Sequence, residues 1–333
     1  MADTFDARLV NDPFDDPVLY VAFRYERRAF LFDLGSIENL STREVLKVSH
    51  LFVSHTHVDH FYGFDYWLRC SLNKEEAVEL YGPRGIIANV QGKLAGYTWN
   101  LIEDYPLELT VHEVDETAVT SARFRAANRF AAESAGAREF YGVLLDRPSF
   151  SVRAAILDHR VPCLAFSLEE KNRLNIRRDA LHALGLKAGP WLDDLKRKLR
   201  EPAAGGERLR APRADGATVD LSLKEWKEAL VAETKGQKIA YVVDNRYCER
   251  NIERVVGLAA DADLFYCEAA FSRAEQARAW ERYHLTAEQA GRLARRAGAR
   301  RFVPFHFSAR YESEPNRLLE EALEAFASAN GET

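Results

Sequence analysis

The segment VSHTHVDH, residues 53 to 60, sets three histidines and an aspartate within six positions directly behind the apolar run Leu51, Phe52 and Val53. In an extended chain the side chains at i and i+2 project to the same side, so His55 and His57 can converge on one point. Asp59 and His60 sit just beyond, where the chain would turn into a helix. Neutral imidazoles and a carboxylate are costly to bury unpaired, yet they are the donors that a zinc-class cation takes. Solvated loop histidines are the competing reading; it would suffice for one His, but not for H-x-H-x-D-H after an apolar strand. Metal binding is the chemistry to which the segment points.

Such a cluster needs strands to hold it. VLYVAFRY (18 to 25) and AFLFD (29 to 33) flank a polar ERR and read as a hairpin. HLFVS (50 to 54) and VELYG (78 to 82) are short apolar runs of the kind covered on both faces, the second leading into a helical IIANVQGKLAGY. Strands follow at LELTVHEV, VTSARFRA, YGVLLD, FSVRAAIL and VPCLAFSLE. After a change of texture from Lys171 to Arg213 the chain alternates again: KIAYVVD strand, RYCERNIERVVGLA helix, DLFYCE strand, further helices, RFVPFHF strand and a terminal helix. Meandering strands first and alternating elements later predict two sheets packed face to face with helices outside, an α/β architecture.

With 333 residues, 47% of them hydrophobic, the chain can bury a substantial core. A net charge of -5 excludes a uniformly basic coat but not a local basic patch. The 171–213 segment holds twelve Lys and Arg against five Asp and Glu, so it carries +7 and the remainder carries -12. That segment reads as an inserted basic arm within a single domain spanning 1–333. Four scattered cysteines without a CxxC pair suit a reducing compartment. The acidic, proline-containing N-terminus and the lack of an apolar stretch approaching roughly 18 residues lead to the expectation of a soluble, cytoplasmic protein without a membrane partner.

Further motifs follow in order along the chain: FLFDLG with Asp33, LDHRVPCLAFSLEE with His159, YVVDNR with Asp244 and FVPFHFSARY with His306. With them the sequence resembles the metallo-β-lactamase superfamily and, within it, the ribonuclease Z-like phosphodiesterases, over about residues 18 to 312. The resemblance implies a four-layer αββα sandwich. It implies His55, His57 and His159 on one metal, Asp59, His60 and His306 on another, and Asp244 bridging both. Asp33 would orient a metal-bound imidazole from behind. Two cations roughly 3.5 to 4 Å apart can hold a hydroxide between them and stabilise an in-line displacement at phosphorus. Zn²⁺ is the expected metal, with Mn²⁺ the alternative for such donors. Of the nine histidines, His50, His112 and His182 fall outside these motifs and are expected to be structural or exposed.

The superfamily admits lactams, thioesters, lactones and phosphodiesters, so the substrate must be argued from particular residues. In YHLTAEQAGRLARRAGARRFVPFHF, His284 precedes His306 by 22 residues, as a second histidine motif precedes the last metal ligand in ribonuclease Z. His284 is expected to act as a general acid on the leaving oxygen, Thr286 being the better cap for the helix that follows. Glu268 in CEAAF would orient His284, although Cys267 and Ala270 depart from the family's His-Glu-Ala-Thr. Asp59, His284 and Glu268 are thus expected to carry the catalysis. The basic arm lies where ribonuclease Z carries its tRNA-binding arm. By charge, Arg177, Arg178, Lys196, Arg197 and Lys198 are its expected phosphate contacts, although WLDDLKRKLR also spaces Trp191, Leu192, Leu195 and Leu199 along one apolar face. Ser308 and Arg310 in HFSARY are further phosphate contacts.

One departure is acidic. Where the family has a Gly-Thr-rich loop, this chain reads LVNDPFDDPVLYV, and Asp12, Asp15 and Asp16 would repel phosphate. The expected activity is ribonuclease Z-type cleavage of a tRNA precursor, with a cyclic nucleotide or other small phosphodiester as the rival substrate and a thioester or lactone hydrolase as a lesser one. A metal-stabilised binding protein without turnover is the remaining alternative. The resemblance also implies a homodimer.

Overall fold

The computed structural model describes residues 4–200 and 207–328. Two compact units emerge, one over Met1–Leu145, Val152–Leu168 and Lys238–Thr333, the other over Asp146–Ser151 and Glu169–Gln237.

The first unit is built on two sheets. Eight strands run in chain order across the first: Phe5–Leu9, Leu19–Phe23, Ala29–Phe32, Val48–Phe52, Val78–Pro83, Glu108–Val114, Ala118–Arg125 and Glu133–Glu139. The four central strands are parallel and the outer ones antiparallel. The second sheet orders Phe302–Phe305, Leu264–Glu268, Lys238–Val242, Pro162–Glu170, Phe150–Asp158 and Val143–Asp146. Strand periodicity sorts the side chains. Leu31, Leu51, Leu80 and Leu109 face outward under helices Phe64–Ser71 and Ile86–Ala95, burying Trp67, Ile86 and Val90. The alternate residues Phe32 and Phe52 face inward and meet Phe166 and Tyr241 of the second sheet, with Phe32 to Phe166 at 5.7 Å and Phe32 to Tyr241 at 5.9 Å between ring centres. On the far side Val242, Phe265, Cys267 and Phe302 lie under helices Glu249–Ala259, Ala287–Arg296 and Arg317–Ala327. Helix, sheet, sheet, helix is the layer order anticipated from the sequence.

Trp67 is fully buried among these outer contacts. Trp67→Ala leaves a large cavity there and should destabilise the unit by about 3–5 kcal/mol, read as a lowered urea midpoint. An unchanged midpoint would show that the helix does not depend on this anchor.

The second unit is larger than the 171–213 arm anticipated. Strand Arg173–Ile176 pairs antiparallel with Val231–Thr234, and Arg208–Pro212 with Thr218–Ser222, so residues 214–237 complete it. Trp191 and Leu195 of helix Trp191–Arg200 pack on Trp226 of helix Leu223–Leu230, with Leu192 and Leu199 alongside. The apolar face of WLDDLKRKLR is therefore a core seam. Including the later residues, the unit holds sixteen Lys and Arg against thirteen Asp and Glu, a net +3 and not the +7 of the shorter segment. Part of the basic charge is neutralised internally, as Asp220 pairs with Arg208 and Arg210.

No helix among the described residues is long and apolar enough to cross a membrane.

Candidate metal centre

Six strands of the first unit deliver the chemistry-bearing residues at or just past their carboxyl ends: Asp33 after Ala29–Phe32, residues 55–60 after Val48–Phe52, His159 after Phe150–Asp158, Asp244 after Lys238–Val242, Glu268 ending Leu264–Glu268 and His306 after Phe302–Phe305. His57 lies in extended backbone immediately before the short helix Val58–Phe61, which carries Asp59 and His60. Gly35 makes this junction close-packed, because a Cβ there would meet the Asp59 carbonyl at 2.6 Å.

The seven residues expected as ligands come together. His55, His57, His159 and Asp244 form one donor group; Asp59, His60 and His306 form another. Asp244 stands between them, Oδ2 lying 3.5 Å from His55 Nε2, 3.4 Å from His60 Nε2 and 3.3 Å from His159 Nε2, and Oδ1 3.1 Å from His306 Nε2. Asp59 Oδ2 is 3.4 Å from His60 Nε2 and 3.8 Å from His306 Nε2. A third group joins Asp244, His306 and His284.

Converging buried imidazoles must not all be charged. Burial and then the neighbouring His60 push His55 down to about 2, and burial first also lowers His57. His60 goes the other way: burial opposes its charge, but Asp244 and Asp33 outweigh burial and raise it well above the usual value. Burial likewise opposes ionisation of Asp244, and the facing His284, His60 and His306 hold it well below the usual carboxylate range. In Asp59 burial is overcome by the hydrogen bond and charge of His60, which keep the carboxyl ionised.

Two atoms at the heart of this cluster, His60 Nε2 and Asp244 Oδ1, are buried and make no hydrogen bond. A buried imidazole nitrogen and a buried carboxylate oxygen without hydrogen bonds in one cluster are what a bound cation would satisfy, so the donor set fits metal. Asp33, Asp244 and His306 all have positive φ, at 59°, 35° and 57°. Asp and His tolerate this left-handed backbone better than most residues, and three strand ends use it where the chain must turn sharply into the site.

Asp33 is fully buried behind His60. It accepts from the Ser54 amide at 2.6 Å, the Ser54 hydroxyl at 2.8 Å, the Tyr241 hydroxyl at 2.9 Å and His60 Nδ1–H at 2.9 Å. The last bond orients the His60 ring so that Nε2 points toward the cluster. His159 is set similarly, its Nδ1–H donating to the Tyr283 carbonyl at 2.8 Å. Sequence reading missed Ser54, Tyr241 and the Tyr283 carbonyl. A hydroxyl inside an apolar strand, as in KIAYVVD, is the one signal that could have pointed to Tyr241.

His284 Nδ1 is 2.8 Å from Glu268 Oε2 and 3.6 Å from Asp244 Oδ1. Glu268 is fully buried, and its other oxygen accepts a hydrogen bond from the Asn245 backbone N–H at 2.7 Å. Burial disfavours a charged His284, but Asp244 and Glu268 more than offset it and raise the imidazole to about 9. Thr286 caps helix Ala287–Arg296 in a reciprocal box with Gln289, leaving His284 out of the capping. The departure at Cys267 lies on the opposite face of the strand from Glu268, under the outer helices, and Ala270 is buried in the same core. Neither touches the Glu268–His284 bond.

The expected substrate contacts are divided between the two units. In the first unit Arg310 pairs with Glu275 at 3.1 Å, and Ser308 opens the short turn before it. In the second, Arg177 donates to the carbonyls of Glu228 and Ala229, Arg197 pairs with Asp194 and Lys198 with Glu207, while Arg178 and Lys196 line a groove of about 730 Å³ with His182. The acidic N-terminal loop is fastened beside the metal cluster: Phe307 N–H donates to the Pro13 carbonyl at 2.8 Å, Phe14 packs on Phe307, and Asp16 is raised by burial and by Asp59. His50 is buried and His112 half-buried in the first sheet, each near Glu79, and His182 is exposed.

No family model matches the chain. It is 32% identical over 330 residues to ribonuclease Z of Deinococcus radiodurans, spanning 97% of this chain and 96% of that one. To ribonuclease Z of Geobacillus kaustophilus it is 31% identical over 284 residues, 84% of this chain and 77% of that one. Among solved structures it is similar to the short form of human tRNase Z, with a TM-score of 0.52, 20% identity and 93% of both chains covered. It is also similar to a metallo-β-lactamase fold protein from Bacillus subtilis, with a TM-score of 0.57, 14% identity and coverage of 98% and 95%. The fold is that of the metallo-β-lactamases.

Proposed function

Because the chain belongs to the ribonuclease Z family, we propose that it is a dimetal endoribonuclease that cuts tRNA precursors at their 3′ ends. The observation that carries the reading is the placement of Asp244, which faces five imidazoles at 3.1 to 3.6 Å, four from the two donor groups and the fifth His284. His55, His57 and His159 would hold one cation, Asp59, His60 and His306 the other, with Asp244 shared. Zn²⁺ is the proposed metal, supported by the imidazole and carboxylate donors, which Mn²⁺ shares. When bound, the pair supplies Lewis acidity toward water and toward a phosphodiester.

The chain's own groups supply the rest. Asp59, kept ionised and with its side chain 41% exposed, can accept a hydrogen bond from the attacking water and orient it. Asp33 keeps the His60 ring fixed through Nδ1–H. Glu268, held by the Asn245 backbone N–H, accepts a hydrogen bond from Nδ1–H of His284 and so aims Nε2–H at the substrate. His284 then donates that proton to the oxygen that leaves phosphorus. The second unit would bind the body of the RNA through Arg178 and Lys196, which line its groove. A cytoplasmic location accords with four free cysteines. A homodimer rests on the sequence resemblance and is testable by sedimentation.

Excising the second unit tests the RNA reading. Glu170 N–H donates to the Gln237 carbonyl at 2.8 Å, so residues 171–236 can be replaced by a short glycine linker, whereas cutting only 171–213 would strand two paired strands. Cleavage of a tRNA precursor should fall at least about tenfold more than hydrolysis of bis(p-nitrophenyl) phosphate, with a shallower salt dependence. Equal losses would refute a role confined to RNA binding. Asp16 beside Asp59 is the feature favouring a smaller phosphodiester, and a cyclic nucleotide serves as the rival substrate.

A further inference from the structure

Beside His284 the surface carries an arrangement that metal chemistry does not require. The Arg246 guanidinium lies 4.3 Å from the ring centre of Trp280 and 3.6 Å from that of Tyr283, both within cation–π range. Its Nε is buried without a hydrogen bond, and among the described residues no carboxylate is paired with it. Trp280 is nonetheless 46% exposed, a large aromatic left facing solvent. It lines a cleft of about 510 Å³ together with Tyr247, Gln276, Gln289 and His284 itself.

Tyr283 adds a second, independent observation. It caps helix Gln276–Arg282 in left-handed backbone with φ at 61°. Helices commonly end on Gly in this conformation, and a bulky ring there is a real outlier. Glycine would deliver the same carbonyl to His159 without strain. Keeping the ring costs stability, and what the ring does is cover Arg246.

We propose that Trp280, backed by Arg246 and Tyr283, is a stacking platform for the nucleoside that carries the leaving oxygen. The inference rests on the endoribonuclease reading above. His284 opens into the same cleft as Trp280, so the sugar whose oxygen takes the His284 proton has its base within reach of the exposed indole face. An unpaired base splayed from an RNA end stacks on aromatic and guanidinium planes in this way, with little dependence on which base it is. Arg246 lies behind the indole and is not spent on a carboxylate, so it makes the platform electron-poor and gives the adjoining phosphate a counter-charge. Trp280, Arg246 and Tyr283 are positioning residues, acting through where they hold the base.

A double-mutant cycle between protein and RNA tests this. The full-length metal-loaded protein is assayed on a tRNA precursor with a normal or an abasic nucleotide on the 5′ side of the cut, with bis(p-nitrophenyl) phosphate as reference. Trp280→Ala should lower kcat/KM on the normal RNA, relative to the reference substrate, by about tenfold to a hundredfold. The abasic RNA should lose a similar factor with the unaltered protein, and the two losses together should not multiply. Trp280→Phe, which keeps a stacking plane, should recover most of the activity. Multiplying losses, or a Phe variant no better than Ala, would overturn the platform while leaving the endoribonuclease reading intact. An unaltered protein that hydrolyses the reference substrate but no RNA would overturn both.

Discussion

Asp244→Asn is expected to leave a folded protein that binds less than one metal ion per chain and has lost at least about a thousandfold in turnover of both RNA and bis(p-nitrophenyl) phosphate. Asn tolerates the positive φ of 35° at this position, so it tests the carboxylate and spares the backbone, whereas Asp244→Ala changes both. The size of the effect follows from geometry. One buried carboxylate faces His55, His60, His159, His284 and His306, and among the described residues no other anion stands between the two donor groups. Without its charge five imidazoles face each other at the centre of the cluster, and two cations would lack the anion they share. Metal content measured by plasma mass spectrometry, alongside both assays, checks this; two ions and undiminished turnover would show that Asp244 is not the bridge.

The second large effect distinguishes proton donation from metal binding. His284→Ala should cost about a hundredfold to ten-thousandfold on RNA, the usual range for a lost general acid. On bis(p-nitrophenyl) phosphate the loss should be far smaller, because p-nitrophenolate is stable enough to leave without a proton whereas a ribose alkoxide is not. His284 also reaches Asp244 at 3.6 Å, so an imidazole that served as a metal ligand would instead lower both activities together. Glu268→Gln should follow the pattern of His284→Ala more weakly. It removes the buried charge that favours protonated His284, and in metal-free protein the NMR titration of that ring should shift below its value near 9. Equal loss on the two substrates would remove His284 from the role of acid.

How much of this was legible in the sequence depended on how local the determinant was. His55, His57, Asp59 and His60 could be read because four donors in six residues follow one strand, and strand geometry alone makes the first two converge. His159, Asp244 and His306 became readable only through ordered motifs, since nothing in their local sequence says that strands far apart in the chain end at one point. Asp33 was visible as a strand-end carboxylate, but its four donors were not. Ser54 and Tyr241 are scattered hydroxyls that become partners only when two sheets close on each other. Apolar runs and their alternation pointed to two sheets packed face to face with helices outside, whereas the four-layer αββα order came from the family resemblance. Strand Glu133–Glu139 escaped because ESAGARE is exposed almost throughout and carries no buried face to betray it. The limits of the second unit were misjudged for a related reason: composition marks where basic residues cluster, whereas the unit closes by pairing Arg173–Ile176 with Val231–Thr234, beyond the basic stretch. Strain at Tyr283 has no sequence signature, because a left-handed backbone is inferred from Gly or Asn and here the residue is an aromatic.

The most direct measurement is the cut itself. The purified, zinc-loaded protein is incubated with a tRNA precursor bearing a 3′ trailer, and separately with cyclic nucleotides, and the RNA ends are mapped at single-nucleotide resolution. The expected result is one metal-dependent cut just 3′ of the acceptor stem, abolished by chelation and restored by added metal, with no comparable turnover of cyclic nucleotides. Hydrolysis of cyclic nucleotides with the precursor left intact would contradict the account.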